Sequence, residues 1–179
     1  MERLQIEHTL LEIVLGDITV QKTEAVVNAA NTQLAPGGGV AGAIHRAAGP
    51  GLWAECQLLG GCQTGEAKLT SGHNLKANFI IHTVGPVYTG SPDDPEKLRA
   101  CYHNSLTLAD NHEIRSISFP AISTGAFGYP VEQAASISLC TVKDYILGGT
   151  NITLVRFVLF TWSTFEIYRN QLNSLAFSE

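Results

Sequence analysis

Three segments follow one another in the second half of the chain: Ser116-Ile117-Ser118-Phe119, the run from Val131 to Ile146, and Thr153-Leu154-Val155-Arg156-Phe157-Val158-Leu159-Phe160. The first and third are apolar runs of strand length. The second is long enough for a helix and is closed by Gly148-Gly149. A helix between two strands implies parallel pairing through a right-handed crossover, which places helices on both faces of the sheet. The fold class expected is α/β, a three-layer α/β/α sandwich. Working outward, Phe165 to about Leu175 reads as a closing helix, and Leu98, Tyr102, Leu106 and Ala109 lie at helical spacing between Pro95 and about Asn111. Further upstream, Phe79 to Val84, Ala67 to Thr70, Ala25 to Asn28 and Leu10 to Leu15 read as strands. Val40 to Ala48 reads as an alanine-rich helix closed by Gly49-Pro50.

Composition narrows the function classes. The 179 residues carry 11 Lys+Arg against 16 Asp+Glu, a formal charge of −5, and are 45% hydrophobic. That suits one globular domain, with its core between about Leu10 and Leu175. No stretch approaches the roughly 20 apolar residues of a membrane helix. The acidic Met1-Glu2-Arg3-Leu4-Gln5-Ile6-Glu7-His8 does not resemble an export signal, so a cytoplasmic protein without membrane association is expected. An acidic balance disfavours duplex nucleic acid as a partner, because counterion-driven binding needs rows of Lys and Arg. Cys56, Cys62, Cys101 and Cys140 form no C-x-x-C pair and fit no zinc spacing; they are read as reduced thiols, and neither metal nor cofactor is expected. Glycine is the unusual feature. Nine of the 17 glycines lie between Gly37 and Gly65, and the span from Ala25 to Ala54 holds one formal charge, Arg46.

In open α/β sheets ligands settle beyond the carboxyl ends of the strands, and three loops there stand out. In Gly16-Asp17-Ile18-Thr19 the Asp17 carboxylate either accepts hydrogen bonds from an amino group or caps a turn. Asn28-Ala29-Ala30-Asn31 leads to Gly37-Gly38-Gly39, where glycines beside a helix N-terminus form an anion cradle that needs no lysine. Gly37, Gly39 and Gly42 match G-x-G-x-x-G literally. The intervening Asn31 to Pro36 and the Cys62 found where an acidic residue belongs speak against a dinucleotide fingerprint. In Ser123-Thr124-Gly125-Ala126-Phe127-Gly128-Tyr129-Pro130 a second glycine loop enters a second helix, able to clamp a diphosphate from the other side. Phe127 and Phe160 are each either core residues or covers for a ligand. His45 and His82 are read as hydrogen-bonded structural histidines, and Trp53 and Trp162 as packing residues.

These loops, with Gly37-Gly38-Gly39-Val40-Ala41-Gly42-Ala43-Ile44-His45-Arg46-Ala47-Ala48-Gly49 and Ile81-His82-Thr83-Val84-Gly85-Pro86, closely resemble the macrodomain family in its MacroD-like branch. The resemblance implies a mixed, largely parallel sheet between helices, a site for ADP-ribose, and hydrolysis of ADP-ribosyl esters on modified proteins or of O-acetyl-ADP-ribose. It assigns Asp17 to the adenine amine with the Ile18 backbone beside it, and Phe160 to stacking near adenine. It places Asn31 on the distal ribose and the backbone of Gly38, Gly39 and Val40 along one wall. Ser123, Thr124, Gly125, Ala126 and Phe127 would cradle the diphosphate, with Phe127 also against the distal ribose. Asn31 and Phe127 are the residues expected to serve catalysis, by orienting the sugar and shaping the pocket. One departure bears on activity: Ala41 stands where the branch usually has an aspartate. The expectation is therefore slow hydrolysis, the alternative being a reader module that binds ADP-ribose without turnover. The partner expected is ADP-ribose or an ADP-ribosylated protein.

Overall fold

A computed structural model describes residues 1–177. Its strands are β1 (Glu2–Ile6), β2 (Thr9–Leu15), β3 (Ala25–Ala29), β4 (Ala67–Ser71), β5 (Phe79–Thr83), β6 (Ser116–Phe119) and β7 (Leu154–Leu159). Its helices are α1 (Gly39–Ala48), α2 (Pro50–Gln57), α3 (Asp94–Asn111), α4 (Val131–Leu147) and α5 (Trp162–Ala176), with a 3-10 turn at Ile18–Val20. The strands form one sheet in the order β1-β2-β7-β6-β3-β5-β4. The five strands from β2 to β5 pair in parallel, and an antiparallel strand flanks them at each edge. The sheet is mixed and mostly parallel.

Strand alternation builds two cores, one on each face of the sheet. Leu11, Ile13, Ala25, Val27, Val155 and Phe157 face the layer of α3, α4 and α5, where Tyr102, Phe119, Phe157 and Tyr168 pack ring against ring. Val14, Val26, Ile80 and Val158 face the smaller layer of α1 and α2 and meet Leu34, Ile44, Leu52 and Cys56. At the β1 edge a polar ladder takes the place of apolar packing. Glu12, almost fully buried, stands opposite Arg3 on β1 and Arg156 on β7 and pairs with both, at 3.0 and 2.7 Å. Both of its carboxylate oxygens are thereby compensated, the condition under which a charge can be buried.

Two elements differ from the reading of the sequence alone. β1 adds a charged edge strand through a hairpin turn in which Glu7 takes φ 51°. α2 begins at the Gly49-Pro50 pair that closes α1: Gly49 at φ 85° ends one helix, and Pro50 is the first residue of the next.

Candidate functional site

The carboxyl ends of β3, β5 and β6 open into a cavity of about 280 Å³. Its walls are the turn after β3 (Ala29, Ala30, Asn31), the glycine loop from Gly37 to Ala41, and the loop after β6 from Ala121 to Phe127, with Gly85 at the base. No Lys or Arg lines it.

The glycine wall is an uncapped helix end. Gly38 is the N-cap of α1 and supplies no side chain, and the first helical bond runs from Gly42 N–H to the Gly38 carbonyl at 3.2 Å. The preceding N–H groups of α1 have no acceptor within the helix and carry the positive end of its dipole. Within the triple glycine, Gly39 alone has a positive φ, 55°. Gly42 is required for another reason: a Cβ there would fall inside contact distance of the Gly37 carbonyl oxygen and 3.0 Å from Arg46 Nη1.

On the opposite wall the N–H groups of Thr124, Gly128 and Tyr129 are used within the loop, on the carbonyls of Ala121, Gly125 and Ser123. Those of Ser123, Gly125, Ala126 and Phe127 have no acceptor among the described residues. The Phe127 carbonyl is tied to Tyr88 N–H at 2.9 Å, which holds the loop against the chain after β5. Ser123 sits at φ 67°, a conformation that costs a non-glycine residue on the order of 1–3 kcal/mol and that clusters at functional loops. The cradle on this side is the loop itself, since neither Pro130 nor the first turn of α4 lines the cavity.

Asn31 is fixed by its own loop. Its Nδ2 donates to the Ala35 carbonyl at 2.9 Å and its Oδ1 accepts from Ala35 N–H at 3.0 Å. One amide hydrogen and one lone pair remain for a ligand, on a side chain whose rotamer is already set. Phe127 is half-buried and lines the cavity, so it is a wall of the cleft and not a core plug. Ala41 is buried and also lines it.

Asp17, Ile18 and Phe160 lie outside this cavity, at the carboxyl ends of the adjacent strands β2 and β7, which Gly16 N–H links to the Leu159 carbonyl at 2.9 Å. Phe160 is 82% exposed and Trp162 57%, so neither is a core residue. Asp17 caps the 3-10 turn, its Oδ1 accepting from Thr19 N–H and Oγ1 at 2.8 and 2.7 Å, while Oδ2 has no partner among the described residues. Capping and amine recognition are thus compatible. Thr124 turns its hydroxyl to the Ala121 carbonyl and does not line the cavity.

Beneath the glycine-loop side lies a buried polar group built around His82, which is the hydrogen-bonded structural histidine read from the sequence. His82 on β5 meets Asn28 Nδ2 at 3.1 Å and Thr70 Oγ1 at 2.8 Å, and Cys56 Sγ lies 3.9 Å away. Burial, aided by neighbouring His45, pushes the His82 pKa down to about 3 from 6.5. The unfolded chain binds this proton near pH 6.5 and the folded chain refuses it until about 3. The stabilisation is therefore complete above pH 6.5 and is lost as pH falls through that window. Burial lowers the pKa of His45 as well, in the same sense. Denaturant unfolding between pH 6.5 and about 5, above the carboxylate range, is expected to lose stability toward acid by at most about 1.4 kcal/mol per pH unit per histidine. His82→Gln should flatten that slope, and an unaltered slope would refute the assignment.

Among the described residues, no three His, Cys, Asp or Glu side chains gather to hold a metal ion, and no helix is long and apolar enough to cross a membrane.

An α/β/α sheet whose strand ends open between two backbone-lined loops defines a class, and a family comparison identifies it. The Macro domain family profile matches residues 27–138, and the chain belongs to that family. It is 49% identical over 178 residues to an ADP-ribose glycohydrolase, MACROD2 of Xenopus laevis, covering 96% of this chain and 43% of that protein. The chain thus spans less than half the length of that relative. It is 44% identical over 168 residues to O-acetyl-ADP-ribose deacetylase 1 of Pantoea vagans, covering 91% of this chain and 98% of that protein. The Oceanobacillus iheyensis macrodomain solved with ADP superimposes with a TM-score of 0.95 at 44% identity, covering 98% of this chain and 96% of that one.

Proposed function

We propose that this macrodomain binds ADP-ribose and slowly hydrolyses ADP-ribosyl esters, on modified proteins or in O-acetyl-ADP-ribose. The observation that carries the reading is the cavity between two walls of unused backbone N–H groups, which suits a diphosphate in a protein of net charge −5. The activities by which the two relatives are named, and the ADP of the Oceanobacillus structure, point to the same ligand class.

In this assignment Ser123, Thr124, Gly125, Ala126 and Phe127 hold the diphosphate, and Gly38, Gly39 and Val40 close the cleft opposite. Thr124 contributes by shaping the loop. Asp17 Oδ2 accepts from the adenine amine beside the Ile18 backbone, and exposed Phe160 gains a stacking partner. Asn31 orients the distal ribose while Phe127 covers it. Water attacks either the anomeric carbon, whose C–O bond breaks as the carboxylate leaves, or the ester carbonyl, whose acyl C–O bond breaks as the ribose oxygen leaves and takes one of the water's protons. In both cases one proton is released to solvent. Orientation is the main contribution available, since among the described residues no side-chain carboxylate lines the cavity to take that proton.

Calorimetry with ADP-ribose, followed by single-turnover release from a carboxylate-linked ADP-ribosyl protein, tests both halves. Binding with no release above buffer would overturn the hydrolase and leave the second reading, a non-catalytic reader, which Ala41 in the cavity wall favours. Asp17→Ala is expected to weaken ADP-ribose binding by about 1–3 kcal/mol through loss of a charge-assisted hydrogen bond. It should also destabilise the fold by about 1 kcal/mol through loss of the cap on Thr19. An unchanged titration would show that adenine does not lie at Asp17.

A further inference from the structure

A second hollow, about 370 Å³, lies on the far side of the glycine loop and shares Gly37 with the main cavity. Pro36, Pro50, His45, Arg46 and Trp53 line it. His45 is only 7% exposed, stands edge-on to Trp53 with ring centroids 6.5 Å apart, and leaves Nε2 without a hydrogen-bond partner. Arg46 is exposed, and its guanidinium folds back over Gly42 toward the start of α1. Among the described residues it has no ion-pair or hydrogen-bond partner, and it is the one formal charge between Ala25 and Ala54.

We infer that this hollow receives an acidic peptide segment, the part of an ADP-ribosylated protein that flanks the modified residue. The inference rests on the proposed function and extends it to the protein half of the substrate. The distal ribose, placed at Asn31 and the glycine loop, carries the protein at its anomeric carbon. Chain leaving that carbon meets Gly37, the wall common to both cavities. Beyond it the surface offers an unpaired guanidinium, an aromatic plane and two prolines. Such a surface attracts carboxylates and packs against peptide backbone, in a protein whose net charge would otherwise repel acidic sequence. Gly42 lets the guanidinium reach this position, because a Cβ there would crowd it.

The test uses peptides bearing ADP-ribose on a hydrolysis-resistant linkage, in one version flanked by Glu and in the other by Lys, with free ADP-ribose as reference. The full chain is expected to prefer the Glu version by roughly three- to fivefold, the scale of an exposed charge pair, and to lose the preference at high ionic strength. Arg46→Glu should reverse the preference and leave the affinity for free ADP-ribose unchanged. Trp53→Ala should weaken both peptides alike. Equal binding of the two peptides by the unmodified chain, or an Arg46→Glu effect equally large on free ADP-ribose, overturns the inference. Absence of ADP-ribose binding by the unmodified chain overturns the proposed function, and this inference with it.

Discussion

Ala41→Asp is expected to release ADP-ribose from a carboxylate-linked substrate about 10²–10⁴ times faster than the natural chain, the usual contribution of a general base. The position can accept the change. Ala41 lies in the first turn of α1, buried in the cavity wall, where the dipole and the uncapped N–H groups favour a carboxylate. Asn31 and the glycine loop line the same cavity, where the proposed assignment puts the attacked carbon. Single-turnover kinetics is the measurement, with ADP-ribose affinity and denaturant midpoint as controls. A variant that folds and binds but releases no faster would show that a carboxylate at this position does not govern release.

Gly42→Ala is expected to reduce ADP-ribose affinity by about 10²–10³-fold, through geometry and not through any lost side chain. The added Cβ would press on the Gly37 carbonyl, a backbone atom that no rotamer change can move aside. The glycine loop must shift, or α1 must unwind its first turn. Overpacking of this kind costs about 1–3 kcal/mol of stability. The larger effect falls on binding, because backbone donors to a diphosphate act only at hydrogen-bond distance and each charge-assisted bond contributes about 1.5–3 kcal/mol. Gly38→Ala provides the contrast, since a Cβ there meets nothing within 4 Å and φ is −88°. If both variants bind alike, the close approach at Gly42 is not what shapes the cleft.

Much of the sandwich could be read from the chain because its inner strands are apolar runs separated by helices with plain glycine stops. The misses share a cause. β1, Glu2-Arg3-Leu4-Gln5-Ile6, is an edge strand whose charges face solvent and Glu12, so it lacks the apolar run by which the inner strands were read. α2 was hidden because Gly49-Pro50 is a legible stop, and only the positive φ of Gly49 shows that the chain turns directly into a new helix. The glycine loops were visible as motifs, but which N–H groups stay unused is a property of the turn. Thr124 spends its donor and Gly125 does not. His45 read as a satisfied histidine, yet its Nε2 has no partner, which depends on contacts between α1 and its surroundings that no local pattern encodes.

The unspent amides around the cavity have a thermodynamic consequence of their own. Amide hydrogens do not dissociate in the physiological range, and among the described residues no Lys, Arg, Asp or Glu lines this cleft. In the proposed assignment, capture of a diphosphate by these amides involves no net uptake or release of protons by the cradle. The cradle's share of the heat of binding is then expected to be independent of the ionisation enthalpy of the buffer, so that this part of the grip does not track pH.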